Sequence, residues 1–259
     1  MSSIHFDVQD QVGTLTLDHA ATRNAIGPQM REEVAEVVHT VKRDTGIRAL
    51  VITGANGHFC SGGDLRNIAT VGLDNQGWRD RLHTLHAWLS DLLTLDRPVI
   101  AAVDGAAYGA GFGLALAADF LIATPRARFN VSFLRIGLVP DFGIFYTLPR
   151  IVGAQRAKEL MLSAREVGAE EALRLGIAME LQPPEQLLAR AQALAASFVH
   201  ASPMAVSLIK RAVAQGGDLA SLLEFEANAQ ALAMGTPAHK EAVQAFLDKQ
   251  PPKFNWPSA

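Results

Sequence analysis

The sequence predicts a mixed α/β fold in which buried strands alternate with helices and a run of helices follows. The strand prediction rests on three short apolar segments, at 48–53, 99–103 and 120–123, which have the composition of strands buried on both faces. From Ala154 onward the periodicity is helical, with helices predicted at 154–163, 168–175, 185–200, 203–215, 218–234 and 238–248. We therefore predict a layered or spiral core over residues 1–200 and a helical appendage over residues 201–259.

The elements between these landmarks follow from local patterns. Residues 12–17 alternate as a half-buried strand does, and we expect them to pair with residues 4–8. Pro28 suits the first turn of a helix over 28–45. The other predicted elements are a short helix capped by Asp64, a mobile loop over 70–80, a long helix from Trp78 to Leu95, and a short strand or extended segment over 129–137.

The composition argues against several classes of protein. A chain of 259 residues with a net charge of -3 and a pI near 6.2 lacks the basic surface that binding to nucleic acid or to an anionic membrane needs. The one cysteine, Cys60, excludes an internal disulfide and suits a reducing compartment. The sequence has no apolar run of membrane-spanning length, no signal pattern in MSSIHFDVQD and no metal-ligand spacing. We expect a cytoplasmic protein without a bound metal, a nucleic-acid partner or a membrane partner.

The segment from Arg97 to Asp119, RPVIAAVDGAAYGAGFGLALAAD, is the centre of the predicted core. A buried strand leads into a glycine-rich turn and then into an apolar helix. Such a turn directs several backbone N–H groups, together with the positive end of the helix dipole, at one place. It can therefore hold an anion, or an oxygen atom that becomes one during a reaction. Tight packing of the strand against the helix explains the glycines equally well.

Four segments in a fixed order make the pattern specific: FCSGGDL at 59–65, PVIAAVDGAAYGAGFGLALAAD at 98–119, IGLVPDFG at 136–143, and LPRIVGAQRAKELMLSAREVGAEEALRLGIA at 148–178. Together they resemble the crotonase (enoyl-CoA hydratase/isomerase) superfamily from about Ile4 to Phe254. The resemblance implies a spiral of ββα units with a C-terminal helical domain that builds trimers, often paired into hexamers. It also implies an acyl-CoA thioester substrate, with coenzyme A as part of that substrate and no separate cofactor.

The resemblance further implies roles for individual residues. Gly63 and Ala110 match the two positions whose backbone N–H groups hold the thioester oxygen. The positions that resemble coenzyme A contacts are Arg23, Ala25, Ser61 and Arg66, with Lys249 and Phe254 in the tail reaching the coenzyme A of a neighbouring subunit. Arginine and lysine suit the phosphates of coenzyme A, although each could also be a solvated surface charge.

The sequence departs from the family pattern where hydratases carry two glutamates. Gly113 and Phe133 occupy those positions, and neither can move a proton. Asp141, in the segment GLVPDFG, matches an aspartate that several isomerases of the superfamily carry, including those that resemble the phenylacetate-pathway isomerase. The alternative is that Asp141 caps a helix after Pro140.

We interpret the pattern as that of an enoyl-CoA isomerase. Phe133 would exclude water, so a proton that Asp141 removes from C2 can return only at C2 or C4, which is a Δ3/Δ2 double-bond shift. Three alternatives stay open. One is a hydratase, as relatives of this pattern are often labelled; another is an aryl-CoA dehalogenase or thioester hydrolase that uses Asp141 with His86. The third is a non-catalytic acyl-CoA binder.

Overall fold

The computed structural model describes residues 2–258. Within this range nine strands form two sheets: β1 (Ile4–Gln9), β2 (Val12–Leu17), β3 (Ala49–Gly54), β4 (Val99–Val103), β5 (Ala106–Tyr108), β6 (Phe120–Ala123), β7 (Arg128–Asn130), β8 (Glu166–Gly168) and β9 (Glu180–Leu181). The larger sheet has the order β1-β2-β3-β4-β6-β9, and the smaller sheet has the order β5-β7-β8. In the larger sheet β1 is antiparallel to β2, and every other pair is parallel.

Eleven α-helices lie within the same described range: α1 (Pro28–Arg43), α2 (Leu65–Thr70), α3 (Asn75–Leu93), α4 (Ala110–Leu116), α5 (Ile144–Val152), α6 (Ala154–Ser163), α7 (Ala169–Arg174), α8 (Pro184–Ser197), α9 (Pro203–Gln215), α10 (Leu219–Met234) and α11 (Pro237–Leu247). The mixed α/β class predicted from the sequence is confirmed. The bounds of two predicted helices, 154–163 and 203–215, are reproduced without change.

The central strands of the larger sheet are buried on both faces, as their apolar runs predict. Successive residues of a strand point to opposite faces, and those of β4 accordingly divide between two separate apolar cores. Val99, Ala101 and Val103 belong to the core that contains α1, α3 and α4, whereas Ile100 and Ala102 pack with α8 on the other face. The two glycine-rich turns lie in the first core, and this places the candidate site on that side of the sheet.

The structure corrects several predicted elements. The loop predicted over 70–80 is shorter, because Asp74 accepts a hydrogen bond from the Gly77 N–H and α3 begins at Asn75. The segment 129–137 is not a continuous strand: β7 ends at Asn130 and a 3₁₀ helix covers 132–136. The short strands β5, β8 and β9 and the helix α5 were not predicted, since strands of two or three residues show no period and α5 contains Pro149.

Among the described α-helices, only the last three and the six-residue α2 have no buried residue. The last three begin at Pro203, close to the boundary predicted near residue 200. Lys210 attaches α9 to the sheet by donating hydrogen bonds to the Arg97 carbonyl oxygen at 2.7 Å and to Asp119 Oδ2 at 2.6 Å. The described residues hold no single helix that is long and apolar enough to cross a membrane, and the one pair that passes this test together, 184–200 with 203–215, is bent by 113°.

Candidate active site

The first wall of the site is the turn that follows β3, residues 55–64, which Asn24 fixes in place. The buried Asn24 donates hydrogen bonds from Nδ2 to the carbonyl oxygens of Ala55, His58 and Phe59 at 3.1, 2.8 and 3.3 Å. The Ile26 N–H adds a 2.7 Å bond to the Gly62 carbonyl oxygen. A buried amide that satisfies several turn carbonyls makes the turn rigid, because each of them would otherwise be unpaired.

The second wall is β5 and the turn that leads into α4, and it pairs directly with the first. Cys60 forms a parallel bridge with Ala107: the Tyr108 N–H donates to the Cys60 carbonyl oxygen at 3.0 Å, and the Cys60 N–H donates to the Ala106 carbonyl oxygen at 2.9 Å. Gly62 lies so close to this wall that a Cβ on it would stand 2.9 Å from the Tyr108 carbonyl oxygen, and its φ of +111° also excludes an ordinary side chain.

These contacts bring the two predicted oxyanion donors, the N–H groups of Gly63 and Ala110, close together. A Cβ built on Gly62 would lie 3.9 Å from the Ala110 nitrogen, so the turn that contains Gly63 touches the first residue of α4. Neither the Gly63 N–H nor the Ala110 N–H donates a hydrogen bond to any residue between 2 and 258. Two free N–H groups on rigid turns, one at a helix start, can stabilise an oxygen atom that gains negative charge.

Asp141 lies in the turn between the 3₁₀ helix and α5. It does not cap α5, since Gly143 takes the cap position and no side chain bonds to the helix start. The Oδ1 atom of Asp141 is buried and accepts no hydrogen bond from the described residues. Burial raises the pKa of this carboxyl group to about 6, against the opposing effects of its own backbone N–H and of Arg81. A carboxyl group with a pKa near 6 can both take up and release a proton near neutral pH.

Apolar side chains occupy the space around the two positions where hydratases carry glutamates. A Cβ on Gly113 would stand 2.4 Å from the Cβ of Phe142 and 2.9 Å from its carbonyl oxygen, so a glutamate does not fit there while Phe142 keeps its place. Phe133 is buried, and its ring atoms come within 3.7 Å of the point where Gly109 would carry a Cβ. Phe133 therefore lies against the turn that precedes Ala110.

Four of the six predicted coenzyme A contacts gather around the first wall. The Ser61 N–H donates to the Arg23 carbonyl oxygen at 3.0 Å, and the Ser61 hydroxyl donates to Thr22 at 2.7 Å. Ala25 follows in the same loop, and Arg66 stands at the start of α2. The guanidinium groups of Arg23 and Arg66 are exposed and form no ion pair within residues 2–258.

Lys249 and Phe254 lie elsewhere in the chain. The ring of Phe254 packs on Phe198 at 5.5 Å between centroids, on the α8 side of the sheet, and Arg190 holds the following residues through the carbonyl oxygens of Pro257 and Ser258. Phe254 therefore does not stand beside the two glycine-rich turns of its own chain. The predicted contact with the coenzyme A of a neighbouring subunit stays a prediction.

No hydrogen bond or ion pair joins His86 to Asp141 within residues 2–258. His86 is exposed on α3, its ring meets that of His83 edge-on at 6.4 Å between centroids, and it lines a cavity of about 610 Å³ between α3, α5, α9 and α10. Gly143 lines the same cavity, whereas Asp141 does not. The charged side chain that acts on Asp141 is Arg81.

Two residues of the site were not identified in the sequence, Asn24 and Arg81. Asn24 follows an arginine in a loop and carried no signal beyond its turn composition. Arg81 could have been found from the spacing of α3, where Leu85, Trp88 and Leu92 mark the buried face and Arg81 continues it by one turn. Among residues 2–258 no group of three or more histidine, cysteine, aspartate or glutamate side chains is arranged to hold a metal ion.

Comparison with known proteins places this architecture in one class. A crystal structure from Cupriavidus metallidurans, described as an enoyl-CoA hydratase/isomerase, superposes with a TM-score of 0.95 and 43% sequence identity over 100% of this chain and 98% of that chain. The fold, with its two facing glycine-rich turns, is thus that of the crotonase superfamily. The family model for enoyl-CoA hydratase/isomerase matches residues 7–257. The chain belongs to the enoyl-CoA hydratase/isomerase family.

Two relatives carry different names. One, from Rhodobacter capsulatus, is named a probable enoyl-CoA hydratase and is 38% identical over 255 residues, covering 97% of each chain. The other, from Escherichia coli, is named 1,2-epoxyphenylacetyl-CoA isomerase and is 36% identical over 258 residues, covering 98% of each. The family and its acyl-CoA substrates are therefore defined, while hydratase and isomerase names both occur among similar proteins.

Proposed function

We propose that this chain is an enoyl-CoA isomerase in which Asp141 moves a proton between two carbon atoms of the acyl group. The observation that carries the proposal is the half-buried Asp141 carboxyl group, with a pKa raised to about 6, on a site whose two glutamate positions are Gly113 and Phe133. Hydration needs a carboxyl group to activate water in addition to one that protonates carbon. A double-bond shift needs only one group, which first removes a proton from carbon and then returns it to another carbon.

The reaction follows from the charges that develop in it. Asp141 takes a proton from C2 of a 3-enoyl thioester, and the electron pair moves onto the thioester oxygen as a dienolate forms. The N–H groups of Gly63 and Ala110 stabilise this oxygen, and one such donor typically lowers the barrier by about 2.7–4 kcal/mol. Asp141 then returns the same proton to C4, which leaves the double bond between C2 and C3. No atoms are gained or lost.

The apolar surroundings support this choice over hydration. Phe133 and Phe142 occupy the space where a second carboxyl group and a held water would be needed, and both side chains are buried. The isomerase name of the Escherichia coli relative also supports it. We further propose that the enzyme acts in the cytoplasm as a homotrimer or a hexamer, to which the exposed apolar side chains of the last helices would contribute.

The test is to offer the purified protein a 3-enoyl-CoA and a 2-enoyl-CoA of medium chain length in deuterated water. Products are identified by chromatography and mass spectrometry. We expect double-bond migration with little added water. Asp141→Asn should lower turnover by at least about 10²-fold, the usual contribution of a positioned acid–base group, with nearly unchanged binding of the CoA ester. Asp10→Asn, in the turn between β1 and β2, is the matched control and should keep full activity.

Each other outcome identifies an alternative. Turnover that survives in Asp141→Asn would exclude Asp141 as the shuttle. Hydration of the 2-enoyl-CoA would mean that another acid performs the work of both missing glutamates. Binding of CoA esters without any turnover would favour the non-catalytic binder, or a displacement or hydrolysis reaction on another acyl group, for which His86 is the next residue to change.

A further inference from the structure

The loop over residues 19–27 is hydrogen-bonded to the turn that carries Gly63. Ile26 forms an isolated parallel bridge with Gly63. The Ile26 N–H donates to the Gly62 carbonyl oxygen at 2.7 Å, and the Ile26 carbonyl oxygen accepts the Asp64 N–H at 3.3 Å. The loop and the turn are therefore one hydrogen-bonded unit, and Gly63 lies at its inner end.

This bridge sets the direction of the Gly63 N–H. In a planar trans peptide, the carbonyl group of one residue and the N–H of the next point in opposite directions. Because the Gly62 carbonyl oxygen faces Ile26, the Gly63 N–H faces away from the loop. The two preceding N–H groups are engaged, that of Ser61 with the loop at 3.0 Å and that of Gly62 with Cys60 Sγ at 3.5 Å. Within the described part of the chain, the Gly63 N–H is thus left for a bound oxygen atom.

The side chain at the centre of this unit is Asn24, which is fully buried. Its Oδ1 atom accepts the His19 N–H of its own loop at 2.8 Å, and its Nδ2 atom donates to three carbonyl oxygens of the facing turn at 2.8 to 3.3 Å. Reversing the amide would place its oxygen atom against those three carbonyl oxygens, so its orientation is fixed. One side chain thus ties the loop to the turn.

The backbone at this position is held in an uncommon conformation. Arg23 and Asn24 have φ angles of +53° and +61°, so two consecutive residues other than glycine lie in the left-handed region. Such conformations persist only where the surrounding structure imposes them, and they cluster at sites that bind or react. Here the hydrogen bonds of the Asn24 amide impose the conformation.

We propose that Asn24 is a positioning residue of the oxyanion site, which acts through the 55–64 turn to keep the Gly63 N–H directed at the thioester oxygen. The inference rests on the oxyanion role proposed for Gly63, and it does not depend on which group moves the proton. Without the Asn24 amide, the turn loses the bonds that fix it, and its N–H is aligned less well with the developing negative charge. A misplacement of about 1 Å in a site can lower a rate by about 10²-fold.

The experiment compares two asparagines of nearly identical backbone conformation in the full-length protein. Asn24→Gly removes the amide, and glycine adopts a φ of +61° without strain. Asn56→Gly is the matched control, because Asn56 lies in the same turn, has the same φ of +61° and is exposed, with its amide donating to Asp18 at 2.8 Å. Asn24→Ser is measured alongside, in case Asn24→Gly folds poorly. Its hydroxyl group is too short to reach all three carbonyl oxygens, so the same results are expected.

The first readout separates turnover from binding. Asn24→Gly should lower kcat on a 3-enoyl-CoA by about 10- to 100-fold, with rates referred to the folded fraction measured by circular dichroism. Its affinity for a saturated acyl-CoA should change less than about threefold, because the oxygen of an unreacted thioester carries little negative charge. Asn56→Gly should keep both wild-type values. An unchanged kcat, with or without a general loss of affinity for CoA esters, would overturn the proposal.

The second readout needs no turnover. Acetoacetyl-CoA loses its C2 proton to the buffer and forms an enolate with its own ultraviolet absorption, and an oxyanion site raises the enolate fraction of the bound ester. Asn24→Gly should lower the ratio of bound enolate to bound keto form by about tenfold or more, whereas Asn56→Gly should not lower it. A wild-type protein that does not raise the enolate fraction, or an unchanged ratio in Asn24→Gly, would refute the inference.

The two proposals can fail separately. If Asp141→Asn stays active while Asn24→Gly loses bound enolate, the isomerase proposal fails and the role of Asn24 stands. If Asp141→Asn is inactive and Asn24→Gly keeps the wild-type enolate ratio, only the role of Asn24 is lost.

Discussion

At the scale of single residues, the buried carboxyl group of Asp141 makes the fold less stable at neutral and alkaline pH. Its pKa is raised by burial to about 6, whereas an aspartate in an unfolded chain has a pKa of about 3.9. The folded protein therefore binds a proton at Asp141 more tightly than the unfolded chain does. The tighter proton binding at Asp141 stabilises the folded protein fully below about pH 4, and this stabilisation is lost as the pH rises through 6.

Asp141→Asn should consequently stabilise the protein at alkaline pH. At pH 8 we expect its free energy of unfolding to exceed that of the wild type by about 2–3 kcal/mol, the value of two pKa units. At pH 4 the two proteins should be nearly equal, because the wild-type carboxyl group is then mostly protonated when folded. Urea unfolding at both pH values measures this. Asp10→Asn is the control, and a difference that is the same at both pH values would contradict the explanation.

The sequence predicts part of this site and not the rest, for a physical reason. Gly63, Ala110 and Asp141 lie in short, contiguous motifs that resemble those of the family, so a match along the chain is enough to single them out. Trp88 meets the ring of Phe142 only because α3 packs on the turn that carries Asp141, and no local pattern reports that contact. The contact of Phe142 with Gly113 is equally non-local, since the motif shows which residue is absent but not what occupies its space.

At the scale of elements, helices with clear ends were predicted well. Helix α9 has Pro203 in its first turn, Ser202 as a side-chain cap and Gly216 after its last residue, so local rules suffice. Helix α3 begins at Asn75, three residues before the predicted start at Trp78, because the Asp74 side chain caps it. The strands β5, β8 and β9 exist only through pairing with distant segments, which no local pattern reports.

One ion pair between elements offers a test of how the C-terminal helices are attached. Lys210 on α9 and Asp119 after α4 are 11% and 25% exposed and meet at 2.6 Å. Lys210→Met would leave Asp119 without its cation. Removing one partner of a fully buried ion pair lowers the free energy of unfolding by about 3 kcal/mol or more. The loss should be smaller here, because Asp119 retains some exposure to water. We expect a loss of about 2 kcal/mol in the free energy of unfolding.

Hydrogen exchange should locate this loss. In Lys210→Met the amide groups of α9 should exchange faster than those of β4, because the helix is released before the sheet opens. Lys158→Met, an exposed lysine on α6, is the control and should change neither quantity. Equal stability of Lys210→Met and the wild type would show that the pair does not attach α9.

At the scale of the whole molecule, α9, α10 and α11 contribute no buried residue to either apolar core. Several large apolar side chains of α9, α10 and α11 are exposed, including Phe246 at 81% and Leu247 at 67%. Exposed apolar surface of this kind usually marks a site of association.

This surface indicates association, and the resemblance to the crotonase superfamily implies trimers, so we expect an assembly whose mass is a multiple of three chains of 27.7 kDa. Light scattering after size-exclusion chromatography measures it. The double substitution Phe246→Asp with Leu247→Asp should shift the assembly toward the single chain. Val8→Asp, at a residue 46% exposed on β1, should leave it intact. A wild-type protein that elutes as a monomer would contradict the predicted trimer or hexamer.

The contact between Gly113 and Phe142 also bears on how such a sequence could change in evolution. A glutamate that arises first at position 113 meets the Cβ of Phe142 at 2.4 Å, so that mutation is harmful before any new reaction is possible. A smaller residue at 142 has to come earlier, and at that stage it brings no benefit. The order of the two mutations is therefore constrained: a lineage with this pair of residues reaches a glutamate at position 113 only by way of a change at position 142.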